Sequence, residues 1–207
     1  MLLYVIRHGE TDWNTEHRVM GDGPVPLNEK GKEDVRRLAH ALEGEAIRVI
    51  YTSTVERAVE TTRILSEVWN AEVHEESRLN ESPYERWVGK RYEELRGDRE
   101  FQLYLSKPTQ SNFSRREGVG GIQERALQAV ERIRREANTG RIAAVSHSDV
   151  IKPVVAYYLG MSLDDMHTLS ISNASVTLID LRGERPRVRY MNVVPWRWER
   201  STRRNGR

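Results

Sequence analysis

The 207-residue sequence contains no cysteine, which excludes disulfides, thiolate metal sites and a cysteine nucleophile. It also lacks any apolar run close to the roughly 20 residues that span a bilayer. The apolar start of the chain, residues 1–6, is too short for a signal peptide and leads directly into charged residues. We therefore expect a soluble, cytoplasmic protein with no membrane partner.

The sequence also has little net charge, since 33 basic residues balance 31 acidic ones to leave +2. The electrostatic field of the whole protein is therefore weak and says little about its partners. A local exception is the end of the chain, where residues 197–207 hold five arginines and one glutamate. This tail could contact nucleic acid or a membrane surface, but we favour its interpretation as a solvated terminus. We therefore assign it no function and expect no nucleic-acid partner.

Short β-rich runs alternate with helical periodicity along the chain, which predicts an α/β fold. We expect three layers, α/β/α, with a mostly parallel sheet, helices on both faces, and a helical or loop insertion over the site. The predicted strands cover residues 2–6, 48–52, 71–75, 141–145, about 175–180 and 188–193. One domain over residues 1–195 follows, with the insertion at about 82–120 and the basic tail at 196–207.

The helix signals are apolar stripes with 3.6-residue spacing. Asn28 can cap a helix that Gly44 would end, and a stripe from Val55 through Val59 to Leu65 puts Arg57 in the first turn of the next helix. A helix is predicted near residues 92–105, another over 122–137, and a last one through Tyr158. Pro153 is compatible with that last helix only near its first turn.

Two histidines, His8 and His147, each follow a predicted buried strand directly. The carboxyl ends of strands in such a sheet meet at one crevice, so these histidines are candidates for a shared site. Imidazole is a competent nucleophile toward phosphorus, and a phosphoryl group needs nearby cations, which Arg7 and Arg57 can supply. The other histidines have no such context, and we interpret them as structural or surface residues; they are His17, His40, His74 and His167.

The segment Arg7-His8-Gly9-Glu10-Thr11-Asp12-Trp13-Asn14 resembles the opening motif of the histidine phosphatase superfamily, also called the phosphoglycerate mutase family. Further segments follow in the family's order over residues 1–180. These are Gly21 with Pro26-Leu27 and Gly31, Thr52-Ser53 with Arg57-Ala58 and Thr61, Leu79-Asn80-Glu81 with Trp87 and Gly89, Val145-Ser146-His147, and Asn173-Ala174-Ser175.

The resemblance implies a role for each matching residue. His8 would be the nucleophile that becomes phosphorylated, and Arg7, Arg57 and His147 would bind the phosphoryl group and stabilise its charge. Glu81 would be the general acid and base. The resemblance further implies substrate or phosphate contacts by Asn14, Gly21, Tyr84 and the backbone around Ser148, with no metal and no cofactor.

The resemblance leaves the reaction type open. The segment His147-Ser148-Asp149-Val150-Ile151-Lys152 is similar to the phosphatase branch, and the chain lacks the longer basic insertion typical of mutases. We therefore expect a phosphatase acting on a small phosphorylated metabolite. A phosphoglycerate mutase is the alternative, since Tyr84 matches a substrate-contact position there, and a noncatalytic phosphate-binding module is another.

Two further properties stay open at this point. Glu85, Arg86 and Val88 depart from the family's usual residues after the acid, which leaves the identity of the substrate undetermined. Exposed apolar strand edges make a homodimer an open alternative to a monomer.

Overall fold

The computed structural model describes residues 1–136 and 140–195. Within them the strands are β1 (Leu2–Arg7), β2 (Val49–Thr52), β3 (Glu72–Glu75), β4 (Arg141–Ser146), β5 (Val176–Asp180) and β6 (Arg187–Val193). They form one sheet in the order β3-β2-β4-β1-β5-β6. The first four strands are parallel, while β5 is antiparallel to both β1 and β6. The predicted mostly parallel sheet is confirmed.

Helices cover both faces of this sheet. They are α1 (Asp12–Thr15), α2 (Glu29–Ala41), α3 (Glu56–Trp69), α4 (Arg99–Ser106), α5 (Val119–Glu136) and α6 (Ser148–Leu159). Side chains alternate along a strand, so β1 contributes Tyr4 and Ile6 to the core under α2 and α3. Its Leu3 and Val5 belong to the core under α5 and α6. This arrangement confirms the three-layer α/β/α prediction.

Residues 82–120 are continuous with the second of these cores. The ring of Trp87, which is fully buried, meets that of Phe101 edge-on with 5.1 Å between centroids. Tyr104 and Phe113 lie 4.8 Å apart by the same measure. Aromatic burial of this size stabilises a segment strongly, so this part of the chain packs as part of the fold.

The helix predicted near residues 92–105 is shorter in the structure and begins at Arg99. The side chain of Asp98 caps it by accepting a hydrogen bond from the Phe101 N–H at 3.1 Å. Tyr92 is held elsewhere, because its N–H donates to the carbonyl of His17 at 2.9 Å. A contact between distant segments thus overrides the local helical pattern.

Three other local predictions were wrong. Helix α2 ends before Gly44, and the left-handed residue that follows is Ala46, with φ 50°. Val59, predicted on the buried stripe, is 39% exposed because α3 turns that side to solvent. Pro153 is the sixth residue of α6, beyond its first turn, so the helix continues past a residue that has no N–H to donate.

Some expectations concern residues outside the described ranges, namely the basic tail at 196–207 and Ala137 at the end of the predicted helix. Among residues 1–136 and 140–195, no helix combines the length and the apolarity needed to cross a membrane.

Gly31 in the first turn of α2 lies directly against the loop that follows His8. A Cβ at residue 31 would lie 2.1 Å from the carbonyl oxygen of Glu10 and 2.6 Å from its nitrogen. The same loop is tied to α2 by a hydrogen bond from the Asn28 N–H to the Glu10 carbonyl at 2.9 Å. The missing side chain therefore permits the backbone contact that positions this loop.

We predict that Gly31→Ala destabilises the protein by about 1 to 3 kcal/mol, because backbone atoms must move apart. Gly120→Ala is the matched control, since Gly120 is also helical but has open space around it. That change should stabilise by up to about 1 kcal/mol, as expected for glycine in a helix. Urea unfolding measures the free energy of unfolding of both variants and of the wild type. If both substitutions changed this free energy in the same direction, the close contact at Gly31 would be contradicted.

Candidate active site

The ends of β1 and β4 bring two histidines together. These parallel strands are neighbours, with Arg7 opposite Ser146, and the His8 N–H donates to the Ser146 carbonyl at 3.0 Å. His147 directly follows β4, and the centroids of the two imidazole rings are 5.2 Å apart. Both histidines are buried. The strand pairing therefore creates a shared site at this edge of the sheet.

The hydrogen bonds of His8 define its tautomer. Its Nδ1 lies 2.7 Å from the Gly9 carbonyl oxygen, which can only accept, so Nδ1 carries the proton. Nε2 accepts a hydrogen bond from Nε of Arg57 at 3.2 Å. Burial, followed by the charges of Arg57 and Arg7, lowers the pKa of His8 well below its usual value. The imidazole is therefore neutral, with a lone pair on Nε2.

Two arginines supply positive charge beside this histidine. Arg57, in the first turn of α3, is fully buried and donates to the Gly21 carbonyl at 2.7 Å. Burial lowers its pKa to about 10, so the guanidinium stays charged at neutral pH. Arg7 donates from Nη1 to the Ile171 carbonyl at 2.5 Å, while its buried Nε has no partner within the described part of the chain. Such an arrangement suits an anionic group.

Glu81 lies in the loop after the 3₁₀ turn Ser77–Leu79, and its carboxylate accepts from the Ser82 N–H at 3.0 Å. Burial and, after it, the negative charge of Asp149 together raise the pKa of Glu81 to about 7. A carboxyl group with this pKa can give or take a proton near neutrality.

A second polar cluster lies beside Glu81. Tyr84 and Tyr104 both donate to Oδ2 of Asp149, at 2.7 and 2.9 Å. Lys152 forms an ion pair with the other oxygen at 3.2 Å and contacts Nδ1 of His167 at 3.4 Å. The positive charge of Lys152 and the two hydroxyl groups outweigh burial and hold the pKa of Asp149 below its usual range. Asp149 is thus a partly buried negative charge whose carboxylate oxygens are paired with Lys152 and the two hydroxyl groups.

One cavity of about 510 Å³ connects these groups. Among the residues predicted from sequence, it is lined by Arg7, His8, Asn14, Gly21, Glu81, Tyr84 and Ser148. Arg57 and His147 lie behind this lining, in contact with His8 and fully buried. The structure thus brings the predicted site residues to one place.

Two of the lining residues depend on unusual backbone geometry. Gly21 has φ +60°, and a Cβ there would lie 2.3 Å from the carbonyl oxygen of Pro83. Tyr84 also has positive φ, 48°, which is uncommon for an aromatic residue. Strained backbone of this kind is concentrated at functional sites, and here it aims the Tyr84 hydroxyl at Asp149.

The comparison with known families agrees with this geometry. The family model of the histidine phosphatase superfamily (branch 1) matches residues 3–194. The chain belongs to the histidine phosphatase superfamily. Members of this superfamily are phosphatases or mutases.

Relatives of both kinds are similar to this chain. Phosphoserine phosphatase 1 of Hydrogenobacter thermophilus is 27% identical over 93% of this chain and 92% of that protein. The 2,3-bisphosphoglycerate-dependent phosphoglycerate mutase of Thermoplasma acidophilum is 28% identical over 86% of each. The relatives of this chain thus include both a phosphatase and a mutase.

Solved structures of the superfamily fold superpose closely. Bacillus stearothermophilus YhfR has 32% identity and a TM-score of 0.85, over 92% of this chain and 96% of that one. A phosphoserine phosphatase mutant from Entamoeba histolytica, in complex with phosphoserine, has 26% identity and a TM-score of 0.85 over 94% and 98%.

Sequence reasoning missed the residues at the far end of the cavity. Asp149 and Lys152 are named there only within the segment similar to the phosphatase branch, and Tyr104 is not named at all. His167, predicted to be structural or on the surface, is partly buried and lines the cavity. A signal did exist for the first two, because they follow His147 on the first turns of α6. Nothing local indicates Tyr104 or His167, which come from separate segments.

We predict that Asp149→Asn lowers the pKa of Glu81 from about 7. The drop should be partial, because burial is the larger cause and remains in the variant. Carboxyl-carbon NMR titration measures the shift. Asp165→Asn, an exposed change, is the control and should leave the value alone. An unchanged Glu81 titration in Asp149→Asn would show that the two groups are not coupled.

Proposed function

We propose that this protein is a phosphomonoesterase that hydrolyses a small phosphorylated metabolite through a phosphohistidine on His8. The observation that carries the proposal is the neutral His8, whose Nε2 keeps its lone pair beside the guanidinium of Arg57. An imidazole with a proton on Nε2 could not attack phosphorus, because that nitrogen would have no free lone pair. Glu81, with a pKa of about 7 at the same cavity, supplies the proton chemistry.

In the first step, the phosphoryl group lies among Arg7, Arg57 and His147, which stabilise its charge. The Arg57 N–H that donates to Nε2 of His8 turns to a phosphoryl oxygen, and the freed Nε2 lone pair forms a bond to phosphorus as the bond to the ester oxygen breaks. Protonated Glu81 gives its proton to that oxygen, so an alcohol leaves. The hydrogen bond from Nδ1 to the Gly9 carbonyl keeps the imidazole oriented throughout.

In the second step, water attacks phosphorus while ionised Glu81 takes one of its protons. The phosphorus–nitrogen bond breaks, its electron pair returns to Nε2 of His8, and inorganic phosphate leaves. Glu81 is then protonated again, so the cycle closes without a further proton. The positive charge comes from the arginines of the chain, so we expect activity to need no metal.

We further propose that Asn14, Gly21, Tyr84 and the backbone at Ser148 contact the bound ester, since all four line the cavity. The alcohol part would lie toward Asp149 and Lys152.

Hydrolysis is favoured over isomerisation because the chain lacks a long basic insertion after the acid. A mutase is the second candidate, favoured by Tyr84 at the cavity and by the mutase among the relatives.

We predict that the wild type hydrolyses an aryl phosphate in the presence of a chelator and forms an acid-labile phosphoenzyme. His8→Ala should lose both the turnover and the label, because it removes the nucleophile. His40→Ala, at an exposed histidine, is the matched control and should keep both.

Absence of turnover from folded wild type would contradict the broad phosphatase proposal. Incubation with 3-phosphoglycerate then separates the alternatives. An isomerised phosphoglycerate indicates the mutase, and binding without any product indicates a noncatalytic module.

We predict that Glu81→Gln lowers the rate with an alkyl phosphate by about 100-fold or more, since the alkoxide needs a proton. With an aryl phosphate, whose leaving oxygen is stable without one, phosphorylation of His8 should be much less affected. The wild-type kcat/KM for the alkyl ester should fall as pH rises above the pKa of about 7, because Glu81 must be protonated. Equal losses for both esters would exclude Glu81 as the acid, and single-turnover kinetics makes the comparison.

A further inference from the structure

Ser53, at the end of β2, has three polar contacts and none with solvent, since it is fully buried. Its Oγ lies 2.8 Å from Nε2 of His147 and 3.0 Å from Oδ1 of Asn80. The Val55 N–H donates to the same oxygen at 3.2 Å. A serine hydroxyl has one proton and two acceptor lone pairs, so these contacts can be assigned.

The amide of Asn80 fixes the direction of the chain of hydrogen bonds. Its Oδ1 accepts from the Thr54 N–H at 2.8 Å, and its Nδ2 donates to the Thr54 hydroxyl at 2.7 Å. Oδ1 therefore faces Ser53 as an acceptor, and the Ser53 hydroxyl donates to it. Both lone pairs of Ser53 then accept, one from Val55 and the other from a proton on Nε2 of His147. The reverse arrangement would place two acceptors 3.0 Å apart.

This assignment leaves Nδ1 of neutral His147 without a proton. Nδ1 is buried, and it has no hydrogen-bond partner among residues 1–136 and 140–195. A phosphoryl oxygen is also an acceptor, so a neutral His147 in this tautomer would repel it. His147 can donate to a phosphoryl group only when both of its ring nitrogens carry protons.

We propose that His147 takes up a proton on Nδ1 when a phosphoryl dianion binds, and that Ser53 and Asn80 are positioning residues that keep its other proton on Nε2. The inference rests on the proposed function, because it requires the phosphoryl group to lie against His147. The proton comes from solvent and bonds to the Nδ1 lone pair, which gives an imidazolium with one donor toward Ser53 and one toward the ligand.

The surroundings of His147 explain why the proton arrives only with the ligand. Burial, then the charges of neighbouring groups, lowers the pKa of His147 well below its usual value. The groups that disfavour the charged form are Arg57 from α3, His8 and Arg7 from the end of β1, and Arg125 from α5. Carboxyl groups at the cavity are Glu81 and Asp149. A bound dianion adds two negative charges to this set and favours the imidazolium.

Tungstate is a suitable ligand for the test, since it is a tetrahedral dianion that carries no proton of its own near neutral pH. The titrations use Glu81→Gln throughout, because Glu81 could otherwise take up the proton. Calorimetry in buffers of different ionisation enthalpy measures the protons bound at about pH 8, above the ordinary pKa of histidine. We expect about one proton per tungstate and a Kd that rises about tenfold per pH unit.

Three variants in this background identify the proton's position. His147→Asn should abolish the uptake. Ser53→Ala should reduce it strongly, because the freed imidazole can carry its single proton on Nδ1 and donate it without taking another. Asn80→Asp should retain it, since a carboxylate also accepts from Ser53. Ser175→Ala, another buried serine, is the matched control and should behave as the parent.

The possible failures are distinguishable. Tungstate binding without proton uptake would overturn this inference and leave the phosphomonoesterase proposal standing. Full uptake in Ser53→Ala would overturn the role of Ser53 and Asn80, because loss of packing alone weakens binding without changing proton stoichiometry. No binding of tungstate by the folded parent would overturn the proposed function and this inference with it.

Discussion

The parallel pairing of β1 with β4 is the constraint on which the rest of the site depends. Its register places Arg7 opposite Ser146, so the residues that follow both strands emerge at one edge of the sheet. Because backbone hydrogen bonds define that register, the 5.2 Å separation of the two imidazoles is a property of the sheet. Arg57 reaches the same point because α3 begins there, after β2, which is the next strand across. The β1–β4 pair therefore acts as the frame for groups from several elements.

Burial then has different consequences for each group in that frame. It keeps His8 neutral and raises the pKa of Glu81 to about 7, so that a large fraction of Glu81 carries a proton at neutral pH, because both charged forms lose solvation. The same burial leaves Arg57 charged, since a pKa lowered to about 10 is still far above neutrality. One low-dielectric environment thus yields a neutral imidazole, a carboxyl group that can carry a proton near neutral pH, and a cation. A more exposed site would ionise the acid and protonate the histidine more readily, and it would lose this combination.

The segment over the cavity is connected to the same frame by its aromatic side chains. Trp87 and Phe101 are buried with the side chains under α5 and α6, so the segment cannot move freely without exposing the core. Tyr84 and Tyr104 extend from that cluster to Asp149, which links the far end of the cavity to α6. The shape of that end therefore depends on packing as much as on charge. It also lies beside Glu81, so in the proposed reaction substrate binding and proton transfer would share one environment.

The sequence by itself determined the fold class, because buried strands and helical stripes are local patterns. It also indicated Arg7, His8, Arg57 and His147 as candidate site residues, because they lie directly at strand ends or at the start of a helix. Tertiary structure alone decided the hydrogen bonds of His147 and Asp149. Ser53 and His147 are 94 positions apart, and Tyr84 and Asp149 are 65 apart, so no local pattern relates them. It also decided where the helix after Tyr92 begins, through a hydrogen bond to His17. Proton positions depend on which donors and acceptors meet in space, and that is settled only when the chain is folded.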